Sequence, residues 1–455
     1  MMLSRSQTHQ HEKLKRKKRT RRLLVLNSVL LGLAIIVVGV ILAVSYRDKL
    51  PEWLPIAADR GVQSSGADDK NGDGKLPANG ENANGDNTNG DNTNGPDGGN
   101  SSESAGNTVD SEDDEPQSGE QEDDGTHTGG LDTNGTGSDG TGEIISLSFV
   151  GDVLPEEYMT KLMEKHGEDY PYQKALFYLS EPDLMAGNLE TPITTGGVPV
   201  EGMPYVYKTR PEALPVLKNV GFDVMSLANN HLLDQGVEGL RDTISHLNDA
   251  GIGHMGAGNN DEEAFAPYIK EVKGIKVAYI GLTRFLPYVS WKADRNVAGI
   301  AETYDSRRAV AAIERAKEDA DLVVVMVHWG VDKMDKPEPY QQELAKQYID
   351  AGADLVIGSH PHVLQGFEQY KGKWIAYSLG NFIFTPYPKE TAAETGVLDA
   401  LCSKNGDCKL KFNPMLIIEG QPTPVEGEAA QKVIDRLTSI SYQVKLEENG
   451  SLVAE

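Results

Sequence analysis

Cysteine is scarce, with two in 455 residues, and both, Cys402 and Cys408, lie near the C-terminus. Two cannot build a disulfide framework, and neither sits where an N-terminal lipid anchor would need one. Basic charge is equally scarce outside a single block. Met1 to Arg22 carries nine Lys and Arg against one acid, whereas Asp59 to Glu143 carries three against twenty-one. Of the total charge of −26, the N-terminal block therefore contributes +8, the acidic stretch −18 and the region from Ile144 onward −16. A chain whose bulk is acidic repels phosphate backbones, which argues against a nucleic-acid binder. Between about Asp59 and Gly142 apolar residues nearly vanish, leaving Gly, Asn, Asp, Ser, Thr and Glu, with GDNTN at Gly85 and again at Gly90. Such a stretch cannot bury enough surface to fold and reads as a solvated spacer. Asp69, Asn71, Asp73 and Gly74 match the opening of a calcium-binding loop, but Gly80 stands where the twelfth-position Glu is required.

Charge is wholly missing from one further stretch. Leu23 to Val44 is uncharged over twenty-two residues, and at helical rise it spans ~33 Å, enough to cross a bilayer. A cleaved secretory signal would need a shorter apolar core and a small-residue cleavage site, which AVSYRDKL supplies poorly. The expectation is an uncleaved anchor with KLKRKKRTRR on the cytoplasmic side and everything after Ser45 outside the cell. The chain then divides into a basic cytoplasmic tail (1–22), a single-pass transmembrane helix (23–44), a disordered linker (45–142) that gives reach away from the membrane, and one folded domain (143–455).

From Ile144 the texture changes to short apolar runs separated by helical stretches, the pattern of an α/β fold with largely buried strands. Strands are expected at Ile144–Val150, Asp183–Ala186, Asp223–Leu227, Lys276–Leu282, Leu322–Val327, Asp354–Ile357 and Trp374–Ser378. Helices are expected at Gly236–Ala250, Tyr304–Glu318, Pro339–Ala351 and Glu428–Ser439. LDALCSKNGDCKLKF reads as a hairpin turning at Asn405 and Gly406. It places Cys402 and Cys408 opposite each other, so an extracytoplasmic domain should bridge them; two buried free thiols on opposite faces are the alternative.

The polar residues with chemical potential cluster just past strand ends. Asp152 follows ISLSFVG, Glu190 follows DLMAGN, Asn230 and His231 follow DVMSLAN, His328 follows LVVVMV, and His360 and His362 follow DLVIGS. In open α/β sheets ligands bind beyond the carboxyl ends of the strands. Each residue alone has an ordinary explanation: Asp152 as a turn former, Asn230 as a helix N-cap, a lone His as a hydrogen-bonded core residue. Jointly those explanations weaken, because four of the seven histidines beyond residue 143 sit at these strand ends. His360 and His362 flank Pro361, which favours an extended segment and aims both rings to one side. Imidazole, carboxylate and amide oxygen together suit a divalent transition metal such as Zn, Mn or Fe rather than calcium. His166, His246 and His254 lack such company and read as surface or structural.

The segments FVGDVL, GNLETPIT, SLANNHLLDQG, VHWG, GSHPHVLQG and YSLGNFIF resemble, in order and spacing, the CapA family of poly-γ-glutamate capsule-biosynthesis proteins, over roughly Ile144 to Phe384. The family is similar to the calcineurin-like metallophosphatases, so the resemblance implies a sandwich of two mixed β-sheets flanked by helices, with one or two bound metal ions. By the same resemblance Asn230 is a ligand and His231 the acid of the G-N-H motif, His328 is the lone downstream ligand, and His360 and His362 match G-H-x-H with Ser359 for Gly. One metal position is complete if Glu190 takes the bridging role. The other keeps only Asp152, Glu190 and His362, because the D-x-H opening appears here as Asp152, Val153, Leu154. The implied role is a membrane-anchored extracytoplasmic component of the making, export or attachment of poly-γ-glutamate, partnering membrane-bound synthetase and export subunits. Its rivals are a metal-dependent hydrolase or transferase acting on the polymer's amide bonds or on a phosphoester, and a non-catalytic module that binds the polyanionic polymer. The last is disfavoured by the acidic domain unless metal, or cations such as Lys208 and Arg210, offset the repulsion.

The orientation is directly testable. Protease added outside intact, wall-stripped cells is expected to digest residues 143–455; full protection of that region would place it in the cytoplasm.

Overall fold

Leu322 to His328 is an unbroken run of seven buried residues, the mark of a strand covered on both faces. Its alternate side chains serve two cores. Leu322, Val324 and Met326 face one apolar cluster, Val323, Val325 and Val327 another. The computed structural model describes residues 143–155, 157–385 and 387–455. The expected tail and span, and the linker up to residue 142, lie outside these residues.

In chain order the strands are β1 (Ile144–Val153), β2 (Leu184–Leu189), β3 (Phe222–Ser226), β4 (Gly253–Met255), β5 (Ala257–Gly258), β6 (Tyr268–Val272), β7 (Ile275–Thr283), β8 (Gly299–Ile300) and β9 (Leu322–His328). They continue as β10 (Leu355–Ser359), β11 (Leu364–Tyr370), β12 (Lys373–Leu379), β13 (Asn381–Ile383), β14 (Glu394–Ser403), β15 (Cys408–Ile418), β16 (Gln421–Pro424), β17 (Val444–Leu446) and β18 (Leu452–Ala454). One sheet runs β16-β15-β14-β1-β2-β3-β4 with β13 also on β1, and the other β11-β12-β10-β9-β7-β6. Both are mixed. β1, β2, β3 and β4 are mutually parallel, as are β7, β9, β10 and β12, while β14 to β16, β6 and β11 run antiparallel to their neighbours.

Three apolar clusters define the layering. The first is shared by inward residues of both sheets, among them Phe149, Ala186, Val324, Ile357 and Phe412. The second lies between the first sheet and the helices Glu157–His166 and Gly236–Ala250, the third between the second sheet and the helices Arg307–Asp319 and Pro339–Asp350. The result is a four-layer α/β sandwich of two mixed sheets: the alternation of elements pointed to α/β, and the family resemblance implied the two mixed sheets. The helix expected from Tyr304 begins only at Arg307. The preceding backbone is drawn into a turn, with Tyr304 N–H donating to Glu302 and Arg307 N–H to Asp305.

Two glycines let the site form. A Cβ on Gly151 would lie 1.9 Å from the Gly380 carbonyl oxygen, and that close approach allows Asp152 N–H to donate to the same oxygen at 2.9 Å. Gly380 itself has φ +64, a conformation that side chains disfavour.

Cys402 and Cys408 are directly opposed in the β14–β15 ladder and are bridged, with their Cα atoms 4.1 Å apart. Gly406, at φ +84, closes the turn by donating to Ser403 O. Closing so short a loop stabilises by about 2 kcal/mol. Cys408→Ser is expected to lower unfolding free energy in denaturant by about that amount, and neither wild-type thiol should react with alkylating reagent before reduction; two alkylatable thiols would refute the bridge.

Candidate metal centre

Because the parallel strands of the two sheets end at a common edge, their last residues meet. Asp152 is the last residue but one of β1, opposite Asn188 and Asn381 in register. Glu190 immediately follows β2, His328 ends β9 opposite Ser359 of β10, and His360 and His362 lie in the turn after β10. Asn230 and His231 follow β3 after a short turn that Asn229 shapes. Its Oδ1 accepts the N–H groups of His231 and Leu232, each at 3.1 Å, and its Nδ2 donates to Leu189 O at 2.8 Å.

All six proposed ligands enter one connected cluster. His328 Nε2 lies 2.6 Å from Asn230 Oδ1 and 3.5 Å from Glu190 Oε1, and its Nδ1 is 3.1 Å from Ser359 Oγ. Asp152 Oδ1 accepts from Asn188 Nδ2 at 2.8 Å. Its Oδ2 accepts the His360 backbone N–H at 3.3 Å and stands 3.3 Å from His362 Nδ1. Two triads gather donor atoms within 4.8 Å of one another: Glu190, His328 and His360, and Asp152, Glu190 and His362. Glu190 belongs to both.

The electrostatics fit a cation. Both Glu190 carboxylate oxygens and His360 Nδ1 are buried without a hydrogen-bond partner, a costly state for polar atoms unless something else satisfies them. Burial, reinforced by the Asp152 charge, holds the Glu190 carboxyl well above the usual range. Burial, with the neighbouring His360, His362 and His231, holds His328 well below its usual value. His360 is pushed down to about 4 by burial and by His362. Burial pulls His362 down, but its hydrogen bond to Asp152 and that carboxylate's charge outweigh this and raise it. Lowered His328 and His360 favour the neutral imidazoles a divalent cation requires of its ligands, whereas Glu190 and His362, both raised, would release protons as a cation bound.

His231 plays a different part. Its Nδ1 pairs with Asp234 Oδ2 at 2.8 Å, its ring meets Tyr207 edge-on at 4.7 Å, and Asp234 also accepts the Tyr207 backbone N–H at 2.7 Å. The ring is thereby oriented with Nε2 away from the carboxylate. Lys208 is exposed, and Arg210 is paired with Glu164 and Glu168 on the surface.

The extended segment expected around Pro361 is not what forms. His360 has φ +100 and His362 φ +58, so both sit in the left-handed region, at a cost of about 1–3 kcal/mol each. The tight turn is imposed by Asp152 gripping the His360 N–H while Asn381 Nδ2 donates to His362 O at 3.0 Å. Both rings still reach the cluster, with centroids 6.1 Å apart. The supporting groups Asn188, Asn229, Asp234, Asp332 and Asn381 were not among the expected site residues, and Ser359 entered only as a motif position. Asn188 and Asn381 were signalled by their place at strand ends within GNLE and LGNF; Asp332, on a surface loop, carried no signal.

A four-layer α/β sandwich presenting carboxylates, amides and imidazoles at its shared carboxyl edge is the class that fold and site define. The profile of the family described as bacterial capsule synthesis protein PGA_cap matches residues 146–386. The PGA biosynthesis protein CapA of Bacillus subtilis (strain 168) is 33% identical over 316 residues, covering 68% of this chain and 82% of that protein. The capsule biosynthesis protein CapA of Bacillus anthracis is 33% identical over 303 residues, covering 62% and 70%. The chain belongs to the CapA family of poly-γ-glutamate capsule-biosynthesis proteins. Among solved structures, the NAD nucleotidase of Haemophilus influenzae shares 14% identity at a TM-score of 0.39, covering 66% of this chain and 64% of that one, a likeness too distant to bear on chemistry.

A cation held by this donor set should depend on His360 and not on His231. Elemental analysis of purified variants is expected to show metal reduced by His360→Ala and unchanged by His231→Ala; equal metal in wild type and His360→Ala would remove His360 from the ligand set.

Proposed function

We propose that this protein is a membrane-anchored, extracytoplasmic component of poly-γ-glutamate capsule synthesis, export or attachment, working with membrane-bound synthetase and export subunits. The proposal includes a metallophosphatase-like site for one or two divalent transition metal ions, Mn, Fe or Zn. The observation that carries the site is the buried, unpartnered Glu190 carboxylate shared by two donor triads. Family membership carries the pathway, and the uncharged run Leu23–Val44 after a basic block carries the location.

In this reading Glu190, Asn230, His328 and His360 hold one ion, and Asp152 and His362, with Glu190, a second and weaker one. Glu190 and Asp152 supply the negative charge that neutral imidazoles and an amide cannot. A divalent ion there supplies Lewis acidity toward a carbonyl or phosphoryl oxygen. The chain's own contributions are positional. Asn188 and Asn381 fix the Asp152 and His362 side chains, and the two sheets hold the donors on rigid strand ends.

A second reading, a metal-dependent hydrolase acting on the polymer's amide bonds or on a phosphoester, is favoured by the His231–Asp234 pair. A carboxylate on Nδ1 fixes the ring orientation and leaves Nε2 free to face a leaving group, the placement a general acid needs.

Complementation separates the readings. In a deletion strain, His360→Ala is expected to fail to restore cell-associated poly-γ-glutamate, while wild type restores it. His231→Ala should fail likewise if the site is hydrolytic and succeed if the protein is an accessory subunit. Full complementation by His360→Ala would overturn the site's role in either reading.

A further inference from the structure

We infer that Asp332, on the exposed loop between β9 and the helix Pro339–Asp350, is the positioning residue that fixes the tautomer of His360, placing its proton on Nε2 and leaving Nδ1 as the donor atom at the cation position. The inference rests on the cation-site reading above and adds a residue that no motif of the chain assigns.

The geometry is specific. Asp332 Oδ1 stands 3.3 Å from His360 Nε2, and a carboxylate only accepts, so its nearness favours the ring proton on Nε2. An imidazole that serves as a cation ligand is neutral and carries one N–H. The lone pair therefore falls on Nδ1, the ring atom that is buried without any partner. The unpartnered Glu190 oxygens share that property, and Glu190 and His360 lie in one donor triad. Phe285 stacks on the His360 ring at 4.7 Å and His328 tilts against it at 4.6 Å, so the ring plane is set by packing and only the proton's place remains to be decided.

Asp332 is 65% exposed, and an exposed carboxylate beside a buried ring needs an ordered backbone to hold it there. The loop provides one. Lys333 N–H donates to Pro361 O at 2.7 Å, between the two histidines. Gly330, at φ +99, packs so closely that a Cβ would lie 2.9 Å from Pro361 Cγ, and Lys333 is itself left-handed at φ +62. Met334 O accepts from Gln365 Nε2 at 2.8 Å. The segment that starts at His328 thus carries a proposed ligand and, four residues later, the group that orients another. Outer carboxylates of this kind raise ligand basicity and fix the ring, and their loss typically costs about 10–100-fold in metal affinity.

The test uses the purified full-length chain, labelled with ¹⁵N at histidine, with the His360 resonances assigned by comparison with His360→Gln. In cation-free wild type the proton is expected on Nε2, and Asp332→Ala should lose that preference. Titration with Mn²⁺ alone should give a dissociation constant about ten-fold or more higher for Asp332→Ala, with partial recovery in Asp332→Asn. Asp335→Ala on the same loop should stay within about two-fold of wild type. A wild-type ring protonated on Nδ1, or Asp332→Ala binding Mn²⁺ as tightly as wild type, would overturn the inference. If wild type binds no Mn²⁺ while the tautomer still depends on Asp332, the positioning stands and the cation-site reading falls.

Discussion

The two sheets are joined at their carboxyl edge by polar contacts between buried groups, and the site depends on that seam. Asp152, on β1 of one sheet, holds the His360 backbone and the His362 ring at the end of β10 in the other. Asn230, after β3, meets His328 at the end of β9 at 2.6 Å. Apolar packing brings the sheets together lower down, through Phe149, Val324 and Ile357, but it is non-directional and would tolerate small slides. The seam does not, because a shift of an ångström would leave several buried polar atoms unpaired.

Seen from this edge, the parallel cores of both sheets have a functional meaning. Only strands running the same way deliver all their last residues to one side. The antiparallel additions, β14 to β16 on one sheet and β6 and β11 on the other, widen the sheets and cover their cores without adding proposed ligands. The layering therefore separates labour. Rigid middle strands carry chemistry at their tips, and later hairpins, one of them stapled by Cys402 and Cys408, supply bulk and closure.

Much of this was readable in the residues, for identifiable reasons. β9 and β10 are buried on both faces, so their sequences are near-continuous apolar runs, and the change to Ser and His at their ends marks the edge itself. The helix at Gly236–Ala250 announces its end with Gly251 at φ +67. Besides the longer antiparallel strands β6 and β11, what escaped included two kinds of feature. Short strands such as β4, β5 and β8 have two or three residues each, too few for any periodicity. The turn at His360–Pro361–His362 is set by Asp152, 208 residues away in sequence for the His360 contact, and local propensity pointed to an extended segment instead. Asp332 escaped for the same reason. Nothing near it in the chain reveals that its neighbour in space is an imidazole.

The left-handed histidines have a further implication for how this fold can change over time. His360 and His362 occupy conformations in which glycine would relax the backbone, and Glu190 sits buried with both oxygens unpartnered. A selection acting on robustness alone would erase these three residues first, since each imposes a cost that an inert replacement would remove. Each of the three therefore lowers the stability of the scaffold that holds it. The apolar clusters beneath the edge supply the stability against which those local costs are set.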